Sequence, residues 1–134
     1  VLYCKGRTIA GGKLDTSLVD MTDFLPTIAD IARVPRPTNY GTLDGKTFYD
    51  NLTGSSGEQR DWVFCHWDND LEDEKIPQRY VHNYDYKLYD SIDGSKFYNI
   101  RNDVKEKKPI ANGKLTQAEK DLKVSFQAIL DSMH

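Results

Sequence analysis

His66 in "FCHWDND", His82 in "RYVHNYD", Trp67 and Arg79 are the side chains of this sequence best suited to meet a polar ligand. Imidazole and guanidinium donate hydrogen bonds to oxygen acceptors, so the four are read as contacts to an anionic or sugar-like ligand gathered at one sheet edge. Strand histidines beside aromatics also serve as packed or hydrogen-bonded residues, which is the competing reading. Alternation along "WVFCHW" places Val63, Cys65 and Trp67 on one face and Trp62, Phe64 and His66 on the other. His66 and Trp67 therefore point opposite ways unless the strand ends or bulges at Cys65.

Other chemistry is harder to place. No GxSxG pattern sets a serine beside a base. Cys4 and Cys65 are too few and too far apart for a disulfide framework or a CxxC metal site, and neither opens a helix that would activate its thiol. Both are read as packed thiols, with a single Cys4 to Cys65 bridge as the alternative. The acidic run "DNDLEDEK", residues 68–75, lacks the spacing and central glycine of an EF-hand and reads as a solvated loop. The "GGK" of residues 11–13 is followed by Leu14, not Ser or Thr, and precedes no helix, so its glycines belong to turns and not to a phosphate cradle.

The elements that must carry these residues can be read in order. Residues 1–4, "VLYC", form a short apolar run without a leading methionine, as expected of a buried strand and of a chain cut from something larger. A glycine-containing loop leads to Phe24, Leu25, Ile28, Ile31 and Ala32, which share one face of a helix. With Asp23 as its N-cap, Pro26 stands at the third helical position, where its missing N–H has no intrahelical partner to lose. The proline also disfavours helical geometry at Leu25, which pulls the start one or two residues later. "RVPRPTNYG" ends the helix, and "DGKTFYDNLTG" gives a second short one, with Asp44 as its cap and Gly54 as its stop.

Past "GSSGEQ" the pattern becomes strand-like: "DWVFCHWD", "QRYVHN", "YKLYD" and "KFYNI", with a turn at Asp93 and Gly94. Connections this short make an antiparallel sheet of about four strands. Five of the eight tyrosines lie between Tyr80 and Tyr98, as suits a sheet with one packed and one partly wet face. A final helix opens on a Thr116/Glu119 capping box and carries Ala118, Leu122, Phe126, Ile129 and Met133 on one stripe.

The bulk composition agrees with a domain that borrows part of its core. The 134 residues suffice for one domain, yet the apolar fraction is only 38%. The net charge of -3, with both signs mixed, offers no field for nucleic acid or an anionic membrane, and no apolar run is long enough to span a bilayer.

"KGRTIAGGKLDTSLVDMTDFLPTIADIARVPRP" followed by "LDGKTFYDNLTG" resembles the sulfatase family, arylsulfatase A-like and within the alkaline-phosphatase superfamily, where its catalytic domain runs into a C-terminal subdomain. The residues that carry the resemblance are Asp23, Pro26 and Thr27 of a D-x-x-P-T motif, Asp44, Gly45 and Thr47 of D-G-x-S/T, and Leu52 and Gly54 of L-x-G. It continues through "YKLYD…FYNIRNDVKE" and the last helix, covering nearly the whole chain. Val104 departs from it, standing where the family commonly has proline.

The resemblance implies an α+β fold: a four-stranded antiparallel sheet packed against a C-terminal helix, preceded by the last strand and helix of an alkaline-phosphatase-like α/β domain. Residues 1–54 would close that α/β domain and 55–134 would form the subdomain. It implies a parent enzyme that hydrolyses sulfuric esters of a small molecule or glycan with a formylglycine nucleophile and Ca2+, secreted or periplasmic. This chain lacks that machinery. Cys4 is followed by Gly6 and Thr8, and Cys65 by Trp67 and Asn69, where the C/S-x-P-x-R motif needs proline and arginine. The chain is therefore expected to be inert alone, to partner the rest of the sulfatase catalytic domain, and to serve structure and substrate selection. A phosphatase or phosphonate hydrolase of the same superfamily is the alternative parent, and a free-standing module binding carbohydrate or protein is the alternative of another class.

Overall fold

The computed structural model describes residues 12, 14–36, 38–39, 41–67, 78–90 and 94–133. The strand expected over residues 1–4, Cys4, the acidic run 68–75, Asp93 and His134 lie outside them. The chain divides into two compact units, Val1–Asp61 and Trp62–His134. Arg60 is held in the first unit, by an antiparallel bridge to Leu18 and by an ion pair with Asp23.

In the first unit, Asp20 opens a single 3₁₀ turn, Met21–Asp23, by accepting the Thr22 N–H at 3.0 Å while its own N–H donates to Asp23 Oδ2 at 2.8 Å. Helix α1, Phe24–Ala32, follows without a break. Pro26 does stand at the third helical position, and the 3₁₀ turn carries the chain into α1 so that Leu25 is helical despite the proline after it. Arg33 then adopts a left-handed conformation, φ 55°, and its N–H caps the carbonyls of Ala29 and Asp30.

Asp23 occupies the N-cap position of α1, but its carboxylate does not cap that helix. It is turned inward and only 2% exposed. Its Oδ1 accepts the Lys46 N–H at 2.7 Å and Arg60 Nη2, while Oδ2 accepts the Asp20 N–H and Arg60 Nε at 3.0 Å. Thr27, one turn on, donates its hydroxyl to Asp23 O at 2.7 Å and accepts the Phe48 N–H at 3.1 Å. A helix segment, the 44–48 segment and Arg60 are thus fastened through two side chains of the D-x-x-P-T motif. Burying a carboxylate is costly unless its lone pairs are met, and here four donors meet them.

This hub also explains where helix α2, Tyr49–Thr53, begins. Asp44 does not cap it, because residues 44–48 run non-helically past Asp23 and spend the Lys46 and Phe48 N–H groups on the hub. Thr47 Oγ1 instead accepts the Tyr49 N–H at 3.2 Å. Gly54, at φ 88°, stops the helix as its sequence position suggests.

The second unit is a four-stranded antiparallel sheet in the order β1-β2-β3-β4. Its strands are β1 Val63–Trp67, β2 Gln78–His82, β3 Tyr86–Tyr89 and β4 Phe97–Asn99. Phe64 pairs with Val81, Val81 with Leu88, and Leu88 with Phe97, so one row crosses the whole sheet on one face. Helix α3, Gln117–Ser132, lies over β2 and β3 on that face and adds Phe126 and Leu130. Val81, Leu88, Phe97, Phe126 and Leu130 are fully buried, each contributing about 1.5–3 kcal/mol relative to an exposed side chain. Tyr86 stacks on Phe97 with centroids 5.3 Å apart.

The expected capping box of α3 is present, with both Thr116 and Glu119 bonding the other's backbone N–H. Its stripe packs on the sheet as expected at Leu122, Phe126 and Ile129, with one addition and one exception. Leu130 joins Phe126 in the core, four residues on, while Ala118 in the first turn is exposed.

Candidate functional site

Antiparallel register sets His66 directly opposite Arg79, and cross-strand partners share a face. That face is the one packed on α3, near its C-terminal end. Phe64, His66, Arg79 and Met133 line a small cavity of about 110 Å3 there, with His66 exposed. Arg79 is committed to the fold around it. Its Nη2 donates to Leu130 O at 2.6 Å and to Met133 O, its Nη1 lies 3.1 Å from Asp90 Oδ2, and its guanidinium sits over the Phe64 ring at 5.6 Å. A cation that satisfies the last carbonyls of a helix complements the negative end of the helix dipole. Arg79 therefore fixes where α3 ends against the sheet.

Trp67 and His82 lie on the opposite face and at opposite ends of the β1–β2 pair, Trp67 across from Gln78 and His82 across from Val63. Trp67 is 62% exposed. His82 Nδ1 is 3.0 Å from Asn83 O, and its ring lies 6.2 Å from that of Tyr80. The four residues thus form two groups: His66 with Arg79 on the helix side, and Trp67 and His82 on the other.

Between Trp67 and His82 the same face carries a polar aromatic cluster. Lys87 Nζ sits 3.8 Å from the centroid of Tyr80 and 4.5 Å from that of Tyr89, and reaches Glu106 Oε1 at 2.9 Å. The Tyr89 hydroxyl donates to Glu106 Oε2 at 2.6 Å. The segment after β4 therefore returns across β3 and covers that half of the face, with Glu106 in a left-handed conformation at φ 50°. Burial works to raise the Glu106 carboxyl, but the hydrogen bonds from Tyr89 and Lys87 outweigh it and hold the group below its ordinary value. Tyr80 is pushed up to about 12, first by its hydrogen bond to Cys65 and then by burial. Alternation in "YKLY" sets Lys87 and Tyr89 on one face, so this pair was open to sequence reading. Glu106 arrives from 19 residues beyond Lys87, with no local signal.

What these groups can do chemically is bind and position. Cys65 is a free thiol on β1, half-buried beside the Tyr80 hydroxyl, and the residues after it cannot make it a formylglycine site. Among the described residues no three His, Cys, Asp or Glu side chains come together in a way that could hold a metal ion. Among them also, no helix is long and apolar enough to cross a membrane.

No family model matches the sequence, and no curated protein matches it. Solved structures do. A candidate sulfatase from Bacteroides thetaiotaomicron VPI-5482 is similar at 24% identity with a TM-score of 0.62, over 81% of this chain and 23% of that one. A 2-O GAG sulfatase is similar at 24% identity with a TM-score of 0.64, again over 81% of this chain and 23% of that one. At this identity the likeness is one of fold: the chain has the fold of part of a sulfatase. It spans 23% of the length of these solved structures.

Proposed function

We propose that this chain is the C-terminal part of a sulfatase, inert by itself, which supports the catalytic domain and helps select a sulfated small molecule or glycan. The observation that carries the reading is the fold likeness, which takes in 81% of this chain but only 23% of each sulfatase it matches. The order of the sequence motifs supports it as well. On this reading the formylglycine nucleophile and Ca2+ belong to the remainder of the enzyme, an arylsulfatase A-like member of the alkaline-phosphatase superfamily that acts outside the cytoplasm, secreted or periplasmic. Within the chain, exposed His66 and Trp67 are outer substrate contacts, His82 flanks the second face, and Arg79 acts through its hold on α3.

The test is turnover of an aryl sulfate. The 134-residue chain should show none, and the polypeptide carrying the remainder should show calcium-dependent hydrolysis. Calcium-dependent turnover by the 134 residues alone would sink the reading, and a whole enzyme that prefers aryl phosphate or phosphonate would replace it with the related hydrolase. His66→Ala or Trp67→Ala in the whole enzyme should raise KM for the natural substrate more than for a small aryl sulfate. Equal effects on the two would assign these residues to packing.

A further inference from the structure

The two edges of the four-stranded sheet are finished differently. The Tyr89 N–H donates to Lys96 O, so Lys96 and Tyr98 turn their backbone groups toward β3 and Phe97 turns its own outward. That outward carbonyl is met, because Phe97 O accepts the Ile110 N–H at 2.7 Å. The same parity runs through β2. The Asp90 N–H donates to Arg79 O at 2.9 Å, so Arg79 and Val81 face β3, and Gln78, Tyr80 and His82 face β1. Their partners Trp67, Cys65 and Val63 spend their backbone groups on β2, which leaves the N–H and C=O of Phe64 and His66 pointing out of the sheet. Among the described residues no strand pairs with β1 on that side. Edge strands are ordinarily blunted by lysine, proline or a bulge, and "VFCHW", paired in unbroken register with β2, has none of them.

We infer that the free edge of β1 pairs antiparallel with β1 of a second copy of this chain, about a two-fold axis through Cys65. The inference is independent of the sulfatase reading. The strand itself chooses this occupant, because its sequence is complementary to its own reverse. With the axis on Cys65 every residue of β1 finds a partner: Phe64 opposes the partner's His66, and Val63 opposes the partner's Trp67. Phe64 and His66 then form hydrogen-bonded pairs, each exchanging both N–H···O bonds through the groups that β2 leaves unused. Aromatic pairs and aromatic–β-branched pairs are favourable cross-strand combinations, and no like charges meet. The pairing also brings the partner's Phe64 beside His66, where it becomes a further wall of the cavity at Phe64, His66, Arg79 and Met133. Cys65 meets its own copy as a non-hydrogen-bonded pair, whose Cα atoms stand about 4.5 Å apart. A disulfide spans roughly 4.4–6.8 Å between Cα atoms, so the axis carries its own chemical reporter.

Amide hydrogen exchange on the 134-residue chain, followed across a concentration series, reads the edge directly. The Phe64 and His66 amides should exchange freely in dilute solution and gain protection of about ten-fold or more as the chain associates. The Cys65 amide, already bonded to β2, should stay protected throughout. Sedimentation equilibrium should show a dimer, and His66→Pro, which removes an outward N–H and no bond to β2, should raise its Kd about ten-fold or more. In Cys4→Ser, diamide should link the dimer through Cys65, and Cys65→Ser should abolish the link. There two thiols become one disulfide, and the azo bond of diamide takes up the two electrons and two protons. A chain that stays monomeric overturns the proposal, as does a dimer in which the Phe64 and His66 amides gain nothing. Protection of these two amides that does not depend on concentration overturns it in favour of another segment of this chain lying on the edge. A dimer with the expected protection that diamide fails to link places the axis away from Cys65 and overturns the pairing. None of these three outcomes requires His66→Pro to fold.

Discussion

Gly45 packs on the backbone of Thr22 so closely that a Cβ at position 45 would stand 2.0 Å from the Thr22 carbonyl oxygen and 2.6 Å from its carbon. The glycine of D-G-x-T is required by this approach and not by a turn. Its neighbour Lys46 delivers the N–H that Asp23 accepts, so the contact and the hub depend on each other.

Gly45→Ala is accordingly expected to destabilise the first unit by about 3 kcal/mol or more, since the obstacle is backbone that cannot swing aside. Urea denaturation followed by far-UV circular dichroism measures it. A change under 1 kcal/mol, the ordinary range for a tolerated Gly to Ala exchange, would show that the segment shifts freely.

Asp23→Asn leaves the buried Arg60 without the carboxylate that pairs with it, and is expected to cost about 3–5 kcal/mol. Asp23→Asn combined with Arg60→Met should cost less than Asp23→Asn alone, because the orphaned cation is gone. A double-mutant cycle in urea reads the coupling, and strict additivity would mean the pair is not a unit.

Acid should loosen both units from neighbouring starting points. Burial works to raise Asp23, yet the hydrogen bonds from Arg60, Asp20 and Lys46 hold it below its ordinary 3.8, and Glu106 is likewise below its ordinary 4.5. Groups depressed on folding contribute stability that is complete above the unfolded value and fades as pH falls through the folded one. Tm should therefore be flat from pH 7 to about 5 and drop below about 4. Asp23→Asn and Glu106→Gln should each flatten that drop, and an unchanged slope in both variants would clear these carboxylates of the effect.

The left-handed turn at Glu106 can be separated from its carboxylate. Glu106→Gly and Glu106→Ala both lose the bonds to Lys87 and Tyr89, but only alanine keeps the strained φ. Glycine should be the more stable of the two by about 1 kcal/mol. Equal stability would indicate that the segment relaxes once the carboxylate is removed.

How legible all this was depends on the separation of the partners. Thr116 and Glu119 are three residues apart, and the capping box stood in the sequence as it stands in the structure. The strands were legible because aromatic and β-branched residues cluster around Phe64, Val81, Leu88 and Phe97 between turn residues, and short connections leave only an antiparallel order. The D-x-x-P-T motif could be seen, but its work could not, because the Asp23 partner lies 37 residues away at Arg60. The start of α2 was misplaced for the same reason: Asp44 is a good cap by type, and only the distant hub draws its neighbours out of a helix. His66 and Trp67 were split correctly by alternation. Arg79 gave no sign of its commitment to the end of α3, since Leu130 lies 51 residues on.

The bridge between Leu18 and Arg60 has a consequence for the order of assembly. Each strand of the second unit pairs with its neighbour in sequence, so its sheet can grow by local hairpins soon after those residues leave the ribosome. The first unit closes only when Arg60 arrives to meet Leu18 and Asp23. Until then the Asp23 carboxylate lacks the guanidinium that neutralises it, so the first unit waits on its own last residues before it can close.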